Sequence, residues 1–89
     1  MIEGKTNSGF EYSISEEVFD DYDLLQNIAE VAKGNDIYFV PVVRQLLGEE
    51  QEKALKAHLK ARDGRVKTTA MTSEIVEIIQ ACKSAGKNS

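Results

Sequence analysis

The sequence predicts an α+β domain, mostly α, with an N-terminal β-hairpin packed on a small bundle of about four helices. Three observations predict it. Phe10, Tyr12 and Ile14 alternate with Glu11 and Ser13 just after a Thr6-Asn7-Ser8-Gly9 turn, the period of a half-buried hairpin strand. Apolar residues then recur at helical spacing through the rest of the chain. The stretch Leu46 to Val66 holds a glycine stop, an acidic start, a basic end and a second glycine stop, which mark both ends of a short helix.

Ile2 to Lys5 and Phe10 to Ile14 are the two strands. A hairpin alone is marginal, so its apolar face must lie on the helices that follow unless another chain completes the sheet. Ser15 is an N-cap residue followed by Glu16 and Glu17, which favour the positive end of a helix dipole. Val18, Tyr22, Leu25, Ala29 and Ala32, flanked by Phe19 and Ile28, predict a helix from Glu16 to Lys33, stopped by Gly34-Asn35. On such a helix Asp20, Asp21 and Asp23 form a solvated face; neighbouring positions diverge around the axis and do not converge on a metal.

Residues 36–47 admit two readings. Ile37 to Val43 is β-branched, aromatic and continuous, which suits a buried strand. Pro41 lacks the donor a central strand needs and fits the first turn of a helix ending at Gly48, the preferred reading. The marked helix then runs from Glu49 to Arg62, with Leu55 and Leu59 as its seam and Ala54 and His58 beside it. Glu49 with Lys53 and Glu52 with Lys56 have the spacing of stabilising pairs. Asp63-Gly64 ends it. A last helix spans Lys67 to Lys83 on the stripe Met71, Ile75, Ile78 and Cys82, widened by Val76 and Ile79. Residues 1–83 are expected to form a single globular domain and 84–89 a flexible polar tail.

Composition narrows the function classes. Eighty-nine residues, 42% apolar and 29% charged, suit one soluble domain. The single cysteine, Cys82, excludes an internal disulfide or multi-cysteine zinc site. Met1 leads directly into Glu3 and Lys5, and the longest apolar run, Ile37 to Val43, is far short of the ~20 residues that span a bilayer. A soluble, non-secreted protein with no membrane partner is expected. The net charge of −4 divides unevenly: residues 1–50 carry eleven acidic and three basic side chains, and residues 51–89 four and eight. That division reads first as differently solvated helix faces; the other readings are steering of a partner and head-to-tail self-association of copies.

Catalytic, cofactor and metal residues are not expected. His58 is the only histidine, on the flank of a leucine seam, and Cys82 lies on an apolar stripe where a thiol behaves as a small hydrophobe. Neither glycine-rich phosphate-loop pattern occurs. Lys53, Lys56 and Lys60 share a helix face, and Arg62, Arg65 and Lys67 cluster at the glycine turn, the outline of a small helix-turn-helix-like DNA-binding regulator. Against nucleic acid stand the acidic chain and a second helix that carries Glu74 and Glu77 and no arginine. A protein-interaction module is the third class. Its partner patch is best placed at Tyr38 and Phe39, with Lys53, Lys56 and Lys60 as a charged rim; the same apolar residues also suit the core.

The series Ile2-Glu3-Gly4-Lys5, Ser8-Gly9-Phe10, the Asp20-Asp21 helix closing on Ala29-Glu30-Val31, Leu46-Leu47-Gly48-Glu49-Glu50-Gln51, His58-Leu59, Asp63-Gly64-Arg65-Val66 and Ser73-Glu74-Ile75-Val76-Glu77-Ile78 resembles small tail assembly chaperones of siphophages and prophages of Gram-positive bacteria. Tyr38-Phe39-Val40 and Lys67, where the family pattern has proline, depart from it. The resemblance implies a non-enzymatic factor that binds the tape measure protein, keeps it soluble and helps recruit tail tube (major tail) subunits. It further implies a place in the host bacterial cytoplasm and absence from the mature virion. Such families also make a longer product by ribosomal frameshifting near the end of the short gene, with which Gly86-Lys87-Asn88 is compatible.

Overall fold

The computed structural model describes the backbone of residues 1–87 and the side chains of residues 1–84. Strands β1 (Ile2–Lys5) and β2 (Glu11–Ile14) form an antiparallel hairpin with Ile2 opposite Ile14 and Gly4 opposite Tyr12. Three helices follow: α1 (Tyr22–Ala32), α2 (Phe39–Asp63) and α3 (Thr68–Lys87). Helix α2 is kinked at Gly48, where φ is 79° and ψ 165°, so it acts as two arms and the bundle has the expected four helical segments. That backbone conformation is open essentially to glycine alone.

Several expectations change in detail. Residues 16–33 are not one helix. Glu16–Phe19 is a single 3₁₀ turn, the chain breaks at Asp20 (φ −93°, ψ 43°), and α1 starts afresh. Asp21 is the reason: its carboxylate accepts from the backbone N–H of Asp23 and Leu24, at 2.9 and 3.3 Å, as an N-cap. The restart resets the helical phase. Leu24 is fully buried, whereas Tyr22 and Leu25 are exposed.

Residues 37–43 are helical. Asp36–Tyr38 is a 3₁₀ turn leading into α2, and Pro41 occupies the first turn, where no helical acceptor awaits its missing N–H. Helix α3 runs on to Lys87, past the expected end at Lys83. Residues 84–87 contain no proline to stop it, and a glycine in a helix costs only about 1 kcal/mol. The rest of the expected tail, residues 88–89, lies outside the described residues. Val76 does not widen the buried stripe of α3; it is 46% exposed.

Leu24, Leu46, Leu47, Leu55 and Leu59 meet Met71, Ile75, Ile78 and Cys82 beneath Phe10, Tyr12 and Ile14 of the hairpin. Each large aliphatic buried there contributes about 1.5–3 kcal/mol, well above the ~0–1 kcal/mol of an exposed ion pair. The surface pairs accordingly follow local geometry. Glu52 does not close on Lys56; its Oε1 accepts from Arg44 Nε at 3.2 Å, across the kink. Glu49 and Lys53 form no ion pair among the described residues. Gly64 ends α2 as expected, left-handed at φ 81°, donating to Lys60 O at 2.8 Å.

One side chain locks the hairpin to the kink. Gln51 Oε1 accepts from Ser13 N, and Gln51 Nε2 donates to both Ser13 O and Leu47 O, each at 2.8 Å. The amide thus replaces a third strand along the outer edge of β2. Gln51→Leu should lower the unfolding free energy by about 1–3 kcal/mol, the cost of orphaned polar groups, read by urea denaturation. Gly48→Ala should cost a similar ~1–3 kcal/mol through backbone strain alone, since no atom lies within 4 Å of the added methyl.

Candidate functional site

Two places on the molecule gather chemically expressive side chains. The first is a groove of about 670 Å³ between the end of α1, both arms of α2 and the start of α3. Its floor is apolar: Val43 and Met71 are buried, Val31, Phe39 and Val66 half-buried, and Val40 is 49% exposed. Asp36, Arg44, Glu52 and Lys56 stand around it. Arg44 and Glu52 neutralise each other, which leaves Lys56 as the free cation of the rim among the described residues. Ile37, beside Asp36 in the chain, is 82% exposed. The Gly48 kink opens this groove by turning the two arms of α2 away from a common axis.

The expected patch and rim residues divide. Phe39 and Lys56 line the groove. Lys53 joins Lys56, Arg44, Glu49 and Glu52 around a smaller charged hollow of about 460 Å³. Tyr38 is half-buried and lines neither, and exposed Lys60 lies outside both. Arg62, grouped by sequence with the basic turn, is engaged: its Nε and Nη2 donate to both oxygens of Asp63 at 3.1 Å. That hydrogen bond is the main cause that holds the Asp63 carboxyl below its ordinary pKa.

The second place lies under the hairpin turn. Glu74 is 5% exposed. Its Oε1 accepts from Thr6 Oγ1 at 2.7 Å and from Ser8 Oγ at 3.0 Å. With its proton directed to Glu74, Ser8 Oγ is left to accept from His58 Nε2, also at 3.0 Å. Phe10 packs its ring against His58, centroids 5.9 Å apart, and Phe10 N donates to Thr6 Oγ1. Asn7 N donates to Glu77 Oε2 at 2.7 Å. Serine, histidine and glutamate meet here in the wrong order for nucleophilic catalysis. The carboxylate holds the serine hydroxyl and does not orient the imidazole, whereas an activated serine gives its proton to histidine. The arrangement clamps the turn to α2 and α3. No group of side chains able to hold a metal ion occurs among the described residues, and no helix among them is long and apolar enough to cross a membrane.

Sequence reasoning counted Glu74 only as an acidic residue of the last helix and did not connect it, or Thr6, Ser8 and Gln51, to a partner. A signal existed for two of them. Glu74 falls between Met71 and Ile78 on the apolar stripe, and Gln51 between Leu47 and Leu55 on the leucine seam. A polar residue at a seam position has to find partners indoors.

Comparison with protein-family models, with curated proteins and with solved structures found no match. The site is therefore read from its own chemistry.

Removing the Glu74 carboxylate with Glu74→Leu orphans Thr6 and Ser8 together, so a loss of about 1–3 kcal/mol and faster amide exchange in residues 6–10 are expected. Alkali offers a second check. Burial pushes the Cys82 thiol above its ordinary value of 9.0. Burial, and then the nearby Cys82 and Glu77, push the Tyr12 phenol above its ordinary 10.0. Both groups hold their protons longer folded than unfolded, so their stabilisation is complete below the unfolded values and is lost as pH rises through the folded ones. The urea midpoint should fall above pH 9, and Cys82→Ala should flatten that fall.

Proposed function

We propose that this protein is a non-enzymatic tail assembly chaperone of the siphophage and prophage kind, and that its groove receives an amphipathic helix of the tape measure protein. The apolar floor formed by Val31, Phe39, Val40, Val43, Val66 and Met71 is the observation that carries the reading. A long helix without its final partner exposes apolar side chains that aggregate. A groove of this kind takes such side chains at i, i+3 or i+4, and i+7 spacing, while rim charges set orientation. An acidic residue flanking the helical segment would meet Lys56. The likeness of Ile2 to Gln80 to that family suggests the identity of the helix; the groove offers a place for it. Recruitment of tail tube subunits, action in the host cytoplasm and release before the virion is complete follow as parts of the same proposal.

Co-expression tests it. The tape measure protein should be soluble with this chain and insoluble without it, and the two should elute as a complex. Val40→Asp places a charge on an exposed groove position and should abolish the complex while leaving the circular dichroism of the free protein unchanged. A tape measure that stays soluble alone and forms no complex would sink the proposal. Salt-sensitive retention on duplex DNA would instead favour the regulator outlined by the α2–α3 turn.

A further inference from the structure

The outer edge of β1 is built to pair with one particular strand. Ser13 gives both its backbone groups to Gln51, so it exchanges none with Glu3, its cross-strand partner. Antiparallel pairs alternate between bonded and non-bonded positions. Gly4 therefore turns its backbone groups toward β2, whereas Glu3 and Lys5 turn theirs away from it. The sheet has only two strands, so nothing pairs with that side. Outside the hairpin ladder the N–H and C=O of Glu3 and Lys5 have no hydrogen-bond partner among the described residues, and both residues are exposed.

We infer that β1 pairs antiparallel with β1 of a second copy of this chain, about a two-fold axis at Gly4. The sequence of the strand selects that occupant. With the axis at Gly4, Glu3 of each copy stands opposite Lys5 of the other, in bonded positions that satisfy every free backbone group of both residues. Moving the axis to Glu3 sets Glu3 against Glu3, and moving it to Lys5 sets Lys5 against Lys5; like charges directly opposed repel. Gly4 then meets Gly4 at a non-bonded position, where strands approach closest. Gly4 itself brings no side chain to the axis, and the Tyr12 ring, which covers its core side, would collide with one. The contact is isologous, so it closes at a dimer and does not propagate. It also takes the hairpin past the three strands that confer independent stability. This pairing uses no residue of the groove and stands apart from the proposed function.

Sedimentation velocity across a concentration series tests it. The natural chain should show a reversible monomer–dimer equilibrium. Glu3→Lys alone and Lys5→Glu alone should each weaken it by about tenfold or more. An equal mixture of the two single variants should dimerise again, since each then meets its complement, and the double exchange Glu3→Lys with Lys5→Glu should dimerise by itself. The amides of Glu3 and Lys5 should exchange more slowly with deuterium as protein concentration rises. A chain that stays monomeric at its highest soluble concentration overturns the inference. So does a dimer indifferent to the single variants, which would place the contact elsewhere.

Discussion

The constraint on which this small structure turns is the need to finish a two-stranded sheet. A four-residue hairpin buries too little to hold its own shape. Both outer edges of such a hairpin carry backbone groups that need partners or water. Gln51 answers on the β2 side with one amide that accepts from Ser13 N and donates to Ser13 O, as a strand residue would. The same amide donates to Leu47 O beside Gly48, so the hairpin edge and the kink of α2 are held at one point. The kink in turn sets the angle between the arms that enclose the groove. A change at Gln51 therefore reaches the sheet, the bundle and the groove together.

The turn end of the hairpin is held by hydrogen bonds to two glutamates. Glu74 and Glu77 sit three residues apart on α3, and they reach Thr6, Ser8 and Asn7 in the turn. A buried carboxylate is costly unless fully hydrogen-bonded. Glu74 takes two hydroxyl donors on Oε1, and no buried side-chain polar atom among the described residues lacks a partner. The clamp also fixes what Ser8 and His58 do, because a hydroxyl that donates to a carboxylate is not free to donate to an imidazole. Chemistry that looks reactive as a set of residue types becomes structural once the direction of each hydrogen bond is assigned.

The sequence made the architecture legible because its strongest signals are local. Alternation through Phe10, Tyr12 and Ile14, Pro41 within a first turn, and glycines at 48 and 64 each constrain the backbone within a few residues. What it obscured depended on choices between two local signals or on distant partners. Ser15 and Asp21 both fit an N-cap; Asp21 starts α1, and that shift of phase exchanged Leu25 for Leu24 in the core. The ordinary spacing rule joined Glu52 to Lys56, but a kink at Gly48 brought Arg44 nearer. Tyr38 and Phe39 are adjacent in sequence, yet only Phe39 reaches the groove, because helical geometry sends neighbours to different faces. The groove itself joins residues 31 to 72, and no single stretch of chain announces it.

The β1 edge and the groove pose the same physical problem with opposite solutions. An apolar groove is permissive: any amphipathic helix of suitable spacing gains by entering it, and rim charges such as Lys56 supply only orientation. A charged edge strand is restrictive. A lysine on a short edge normally protects against promiscuous pairing, and Lys5 does so here against any strand that lacks an acid in the right place. Glu3, two residues away, supplies that acid in a second copy of the same strand. Protection against strangers and acceptance of self thus come from one pair of side chains. Because the two surfaces share no residue, pairing through β1 would present two grooves on one particle. A long helical partner could then engage both, the second contact being intramolecular and favoured by effective concentration, while each contact alone stays weak enough to be displaced.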